Sequence, residues 1–132
     1  MRRLLDTNIC IELIRNRSPK ALKKLRQHEI GAVGISVITF AELAHGVEKS
    51  AKPDQNQIAL SQFCAPLEIR AFDDSAALVY GRVRAELERL GQVIGPMDLL
   101  IAAHAIALNA TLVTNNERKF RRIKGLRVEN WL

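Results

Sequence analysis

Hydrophobic residues fall along this chain in two rhythms, short unbroken bursts and longer stretches in which they recur with helical spacing. The first burst, Leu4-Leu5, ends abruptly in Asp6, Thr7 and Asn8, and Ile9, Cys10, Leu13 and Ile14 follow at helical intervals. That pattern reads as a buried strand passing directly into a helix. After Arg15–Arg17, Ser18-Pro19 opens a second helix, with Pro at the first helical position. Its Ala21, Leu22 and Leu25 face inward, and Lys20, Lys23, Lys24 and Arg26 face outward. Ala32–Ser36 reads as a second strand, and Val37 to about Lys49 as a helix containing Glu42. The polar stretch Ser50–Gln57, which includes Pro53, is expected to be a loop before another helix ending near Cys64. Leu67–Ala71 is a third strand. Asp73-Asp74-Ser75 then begins a long helix with Ala76, Val79, Tyr80, Val83, Leu87 and Leu90 on one stripe, stopped at Gly91. Ile94-Gly95-Pro96 breaks the chain, and Met97–Leu108 resumes it as a helix with almost no polar face, the mark of burial on most sides. Thr111–Val113 is a fourth strand, Asn115–Phe120 a turn or short helix, and Leu126–Val128 a fifth strand. Strands alternating with helices imply an α/β fold with a parallel sheet covered on both faces. The 132 residues, without internal repeats or low-complexity segments, fit one domain large enough to bury a core.

Composition adds a partner class. The hydrophobic content of 48% suits a soluble globular chain, and 5% aromatics means aliphatic side chains fill the core. A formal charge of +6 points to an acidic partner, nucleic acid or an acidic protein, beside the plainer reading of a solvated basic surface. Cys10 and Cys64 lie in apolar contexts without CxxC spacing, so buried free thiols in a reducing cytoplasm are expected. Met1-Arg2-Arg3 resembles the start of a signal peptide, but Asp6 and Glu12 interrupt the apolar run that would follow. No segment is long enough to span a membrane.

Three acids stand where burial should penalise them. Asp6 closes an apolar strand, Glu42 lies within Phe40-Ala41-Glu42-Leu43-Ala44, and Asp98 sits between Met97 and Leu99 in the first turn of the apolar helix. Each has a local explanation. Asp6 can be an N-cap, Thr39 and Glu42 have the spacing of a capping box, and Asp98 can favour the positive end of a helix dipole. Together they ask for more, because a buried carboxylate without a cation or hydrogen bonds is costly. No Lys or Arg lies close in sequence to Glu42 or Asp98. In open α/β folds ligand sites lie beyond the carboxyl ends of the strands, where Asp6 is. Two like charges about 4 Å apart repel by about 4 kcal/mol at an effective dielectric near 20, so three converging acids would need a divalent cation. Oxygen ligands without a His or Cys cluster favour Mg²⁺ or Mn²⁺. Such an ion beside a basic surface points to a metal-dependent nuclease.

The segments LLDTN at 4–8, SVITFAEL at 36–43, IGPMDLLIAAHA at 94–105 and LVTNNERKF at 112–120, with GLRVENW at 125–131, resemble the PIN-domain ribonucleases, and specifically the VapC toxins of type II toxin–antitoxin pairs. The resemblance runs in order along essentially the whole chain. It implies a three-layer α/β/α sandwich with a five-stranded parallel sheet in the order 3-2-1-4-5, and a Mg²⁺-dependent endoribonuclease for which Mn²⁺ is a possible substitute. It implies an RNA substrate, a structured tRNA stem-loop such as initiator tRNA, a VapB-type antitoxin that inserts a segment into the active site, and paired protomers. Carried over by position, Asp6, Glu42 and Asp98 are the metal-binding acids, and Asn116 stands where many PIN domains have a fourth acid.

One place departs from the pattern. Close relatives of this subgroup tend to read TNN-x-x-E-F, whereas here Lys119 precedes Phe120 and Glu117 lies two residues earlier. Thr114 and Glu117 again have capping-box spacing. Lys119 either reaches the rim of the acidic pocket and meets a substrate phosphate, or joins Arg118, Arg121, Arg122 and Lys124 in a solvated basic patch. His104 is expected to be a satisfied core residue. Thr7 and Asn8 either orient Asp6 or a water, or cap the first helix. Against the nuclease stand a non-catalytic RNA- or protein-binding PIN module and an acidic phosphotransfer enzyme. The latter would want a second acid two residues after Asp6, where Asn8 stands.

Overall fold

The computed structural model describes residues 1–132. Its centre is β1 (Arg3–Leu5), whose two leucines point to opposite faces of a sheet and are both fully buried. Around it lie β2 (Val33–Ser36) and β3 (Glu68–Arg70) on one side, β4 (Thr111–Val113) and β5 (Val128–Glu129) on the other. All pairings are parallel and the order is β3-β2-β1-β4-β5, as expected. Leu4 and Leu5 pair in register with Gly34 and Ile35 of β2 and with Leu112 and Val113 of β4.

Seven helices cover the sheet. On the face of Leu5, Ile35 and Val113 lie α1 (Thr7–Ile14), α2 (Pro19–Arg26), α3 (Val37–Glu48) and α4 (Pro53–Cys64). They contribute Ile9, Leu13, Ala21, Leu43, Val47 and Leu60 to one core. On the face of Leu4 and Leu112 lie α5 (Asp74–Leu90), α6 (Pro96–Ala107) and α7 (Glu117–Phe120), with Val83, Leu87, Leu99, Ala102 and Phe120 in the second core. The alternation of β1 thus feeds two separate cores, the three-layer arrangement. No helix is long and apolar enough to cross a membrane.

The helix ends follow local chemistry. Asp6, Ser18, Ser36, Asp73 and Asn116 each accept a hydrogen bond from a backbone N–H in the first turn that follows. Gly91 ends α5 in the left-handed conformation, at φ 65°. The expected loop Ser50–Gln57 is shorter than the sequence suggested, because α4 already begins at Pro53. Lys52 precedes it without a capping side chain, and the polar residues Asp54 to Gln57 form a first turn that is exposed on every side. At Gly34 a Cβ would collide with Met1 Sδ and come 2.7 Å from the Glu68 carbonyl oxygen, so β2 and β3 approach closely only because this residue is glycine.

The C-terminal residues are tied in. Trp131 is fully buried, stacks on His28 and donates its indole N–H to Glu129 at 2.6 Å, and Glu129 in turn pairs with Arg3 at 3.2 Å. The thiol of Cys10 is buried among aliphatic side chains and that of Cys64 is half-buried, both unpaired. Burial holds both thiols above their usual pKa, Cys10 the more strongly.

Candidate active site

Successive connections run from β1 outward to β2 and β3, then cross back to β4 on the other side of β1. The carboxyl ends of β1 and β4 therefore flank the point where strand order reverses, the crevice in which open α/β sheets place ligands. Asp6 follows β1 and Thr114 follows β4. The Asp6 N–H donates to the Val113 carbonyl at 2.9 Å, which locks the two strand ends together. Ser36 closes β2 next to them.

Asp6 is both cap and pocket residue. Its Oδ1 accepts from the Ile9 N–H at 2.9 Å, yet the side chain is buried, and burial raises its pKa to about 6. Hydrogen bonds from the Thr114 hydroxyl and the Ile9 N–H act in the opposite direction. The negative charge of Asp98 adds to the rise, and the positive charge of Lys119 offsets it. Asp6, Asp98 and Lys119 thus share one electrostatic neighbourhood although they are far apart in sequence.

Glu42 is held from α1. The Thr7 hydroxyl donates to Glu42 Oε1 at 2.6 Å, and the Thr39 hydroxyl lies 3.3 Å from that of Thr7. A hydroxyl has one proton, so Thr39 is left to donate to Thr7 in a relay towards Glu42. Thr39 is fully buried inside α3, and the cap of that helix is Ser36, so the expected capping box of Thr39 and Glu42 is absent. Thr7 orients Glu42 and not Asp6, while Asn8 is exposed to solvent.

Asp98 lies in the first turn of α6, as expected, but does more than favour the helix dipole. Lys119 Nζ stands 2.6 Å from its Oδ2, with about a third of each side chain exposed. Lys119 therefore turns into the acid site, and the solvated-patch alternative does not hold for it. Arg118 is exposed, Arg121 pairs with Glu117 at 3.0 Å and Arg122 donates to the Val93 carbonyl at 3.4 Å. Asn116 caps α7 by accepting from the Lys119 N–H at 3.4 Å, and its own N–H donates to Thr114 Oγ1 at 3.0 Å. The Thr114–Glu117 capping box is absent as well. The second oxygen of Glu117 accepts from Asn130 at 3.4 Å, so this acid does not turn to Asp6.

Of the three acids only Asp6 is buried; Glu42 and Asp98 are partly exposed. With Glu42 held by Thr7 and Asp98 by Lys119, no three His, Cys, Asp or Glu side chains stand close enough to hold a metal ion between them. The donors nevertheless suit a hard divalent cation in kind. They are carboxylate oxygens, Asp6 and Asp98 raise each other's free energy, and a cation already stands on one of them. Sequence reasoning passed over the supporting hydroxyls of Ser36 and Thr114. Their signal was positional, each being the polar residue at the end of an apolar strand.

His104 joins two of the acid-bearing helices. It is buried on α6, and its Nδ1 lies 2.8 Å from the Ser36 hydroxyl that caps α3. Phe72 packs edge-on, and burial holds its pKa below the usual value. It is a core residue as expected, although its Nε2 has no hydrogen-bond partner. Beside Glu42 an apolar groove opens between α1, α3 and α4, lined by Ile11, Ile14, Leu43, Val47 and Leu60.

Comparison with known proteins agrees with this frame. Residues 3–126 match the PIN domain. The chain is 48% identical to Ribonuclease VapC2 of Rickettsia felis, over 97% of this chain and 96% of that protein. It is 40% identical to the tRNA(fMet)-specific endonuclease VapC of Shigella flexneri, again over 97% and 96%. Among solved structures, VapBC2 from Rickettsia felis bound to a DNA fragment from its promoter superposes with a TM-score of 0.95 at 46% identity, covering all of both chains. DNA-bound VapBC from Salmonella typhimurium gives 0.95 at 39%, covering 100% of this chain and 99% of that one. With a sheet order, a strand-end acid and full-length relatives all in agreement, the chain belongs to the PIN-domain family and, within it, to the VapC ribonucleases.

Proposed function

We propose that the chain is a divalent-metal-dependent endoribonuclease that cleaves a structured tRNA, and that it is the toxin of a pair with a VapB-type antitoxin. The observation that carries this reading is the juxtaposition of Asp6 and Asp98 at the sheet's switch point. Asp6, Glu42 and Asp98 would hold Mg²⁺, or Mn²⁺ in its place. When bound, the ion would polarise a phosphodiester and lower the pKa of an attacking water.

The remaining work belongs to the protein. Asp6 is fixed by the Ile9 N–H and Glu42 by Thr7, so two of the three acids are oriented before any ligand arrives. Asn116 stands at the cap of α7, one helical turn from Lys119, and sets the orientation of that helix against the acids. The formal charge of +6 favours a polyanion, and binding through phosphate contacts would weaken as salt rises. A tRNA as substrate rests on the likeness to the Shigella flexneri endonuclease. The antitoxin partner rests on the likeness to the solved VapBC structures.

The test is RNA cleavage by metal-loaded protein. Asp6→Asn, Glu42→Gln and Asp98→Asn should each remove cleavage while the variants keep the wild-type circular dichroism. Full activity in all three would sink the assignment. The pairing of Asp98 with Lys119 is the one observation that favours a second reading, a non-catalytic RNA- or protein-binding module. Under that reading the wild type binds RNA without cutting it at any Mg²⁺ or Mn²⁺ concentration.

A further inference from the structure

We propose that Lys119 is a tethered counter-ion which competes with the divalent metal for Asp98, so that α7 sets how much metal the site needs. The proposal rests on the metal-dependent reading above and gives it a threshold.

The geometry is specific. Lys119 Nζ is 2.6 Å from Asp98 Oδ2, a charge-assisted hydrogen bond between two side chains that are each about two-thirds buried. The helix that delivers it cannot drift. Phe120, the next residue, is 1% exposed in the core beneath β4, Asn116 caps the helix, and Lys119 Nζ lies 6.0 Å from the centre of the Phe120 ring. The other cations near this helix do not reach the acid. Arg118 is in solvent, while Arg121 and Arg122 are engaged by Glu117 and the Val93 carbonyl. One cation out of a basic segment has been aimed at one acid.

A Mg²⁺ ion would need a carboxylate oxygen at about 2.1 Å in near-octahedral geometry. An ammonium already hydrogen-bonded to that oxygen blocks the approach and repels the ion. The metal and Lys119 therefore compete for Asp98, for Oδ2 directly and for the carboxylate's charge even where the ion takes Oδ1. By linkage, whatever factor the metal imposes on the lysine pairing, the lysine imposes on the metal affinity. Lys119 thus supplies Asp98 with a counter-charge from within the chain.

Metal titration of the full-length protein, stripped with chelator and followed by calorimetry with Mg²⁺ and with Mn²⁺ at fixed pH and salt, tests this. Lys119→Met keeps the length of the side chain and removes the charge, and it should bind metal roughly 10-fold more tightly than wild type, within the usual range of such couplings. Lys119→Glu should bind more tightly still, and Lys119→Arg should stay near wild type. Equal or weaker affinity in Lys119→Met overturns the proposal while leaving the metal site intact. A wild type and variants that all fail to bind either ion overturn the metal reading, and the competition with it. A readout on the unmodified chain needs no variant to fold. The ¹⁵N-ammonium resonance of Lys119 should be protected and visible in metal-free protein and lost at metal saturation. A resonance unchanged at saturation would show that lysine and metal do not compete.

Discussion

A carboxylate that is almost fully buried and still serves as a helix cap is under opposed demands. Asp6 meets the demand of capping by accepting from the Ile9 N–H, but its burial is not fully compensated, since its pKa rests near 6 where an unfolded chain would have 3.8. The folded protein thus holds the Asp6 proton more tightly than the unfolded chain does. Its contribution to stability is greatest below about pH 4, declines as pH rises towards 6 and is lost above it. The full loss is up to about 3 kcal/mol. In metal-free buffer at pH 7.5, Asp6→Asn should therefore raise stability by up to that amount, because Asn can still accept from Ile9 without carrying a charge. The gap between variant and wild type should close as pH falls to 4. Urea melts across that range check it, and parallel wild-type and variant curves would refute the buried-charge account. Asp6 was legible in sequence because its role is local, an acid at the end of an apolar strand. Glu42 and Asp98 were legible as acids but not as interactions. The spacing rule paired Glu42 with Thr39, whereas its hydroxyl partner Thr7 lies 35 residues away. The cation on Asp98 comes from 21 residues downstream. No short-range pattern encodes either.

Among the elements, β2 shows how a single position fixes a pairing. Gly34 lies opposite Glu68 in the β2–β3 register, and a methyl group there would press on the Glu68 carbonyl oxygen, which is backbone and cannot rotate away. Gly34→Ala should destabilise the protein by about 1–3 kcal/mol, the usual range for overpacking. The loss should show as a lower urea midpoint, and an unchanged midpoint would mean that β3 yields at no cost. Most element boundaries could be read from the chain, because strand bursts and helical stripes differ in period. Two exceptions are β5, expected at Leu126–Val128 but paired at Val128–Glu129, and the start of α4, which has a physical cause. Ser18 caps α2 with its side chain and so announces it, but nothing caps α4 at Lys52. Its buried side is so narrow that Leu60 is its one fully enclosed residue, and an exposed helix start rich in Gln and Asn reads as a loop. The strand order itself was not written in the periodicities; it came with the family resemblance, and the pairings agree with it.

At the level of the whole molecule, a net positive chain carries an acidic crevice at the end of its sheet, next to an apolar groove that begins at Glu42. An inhibitory partner can satisfy both features at once by laying apolar side chains in the groove and a basic one on the acids. Lys119 already shows that an ammonium is accepted there. The antitoxin segment is therefore expected to present at least one Arg or Lys to Asp6, Glu42 or Asp98. A structure of the complex with those acids untouched and the crevice open would contradict this mode.

The central strand of the sheet is made first, and its neighbour β4 comes more than a hundred residues later. During synthesis Asp6 emerges from the ribosome long before Thr114, Asn116 and Lys119 exist to complete its surroundings. The crevice cannot close around it until Thr111–Val113 has docked against β1. Docking of β4 against β1 is thus the step that brings Thr114 and Lys119 to Asp6 and Asp98, and most of the chain must exist before it can happen.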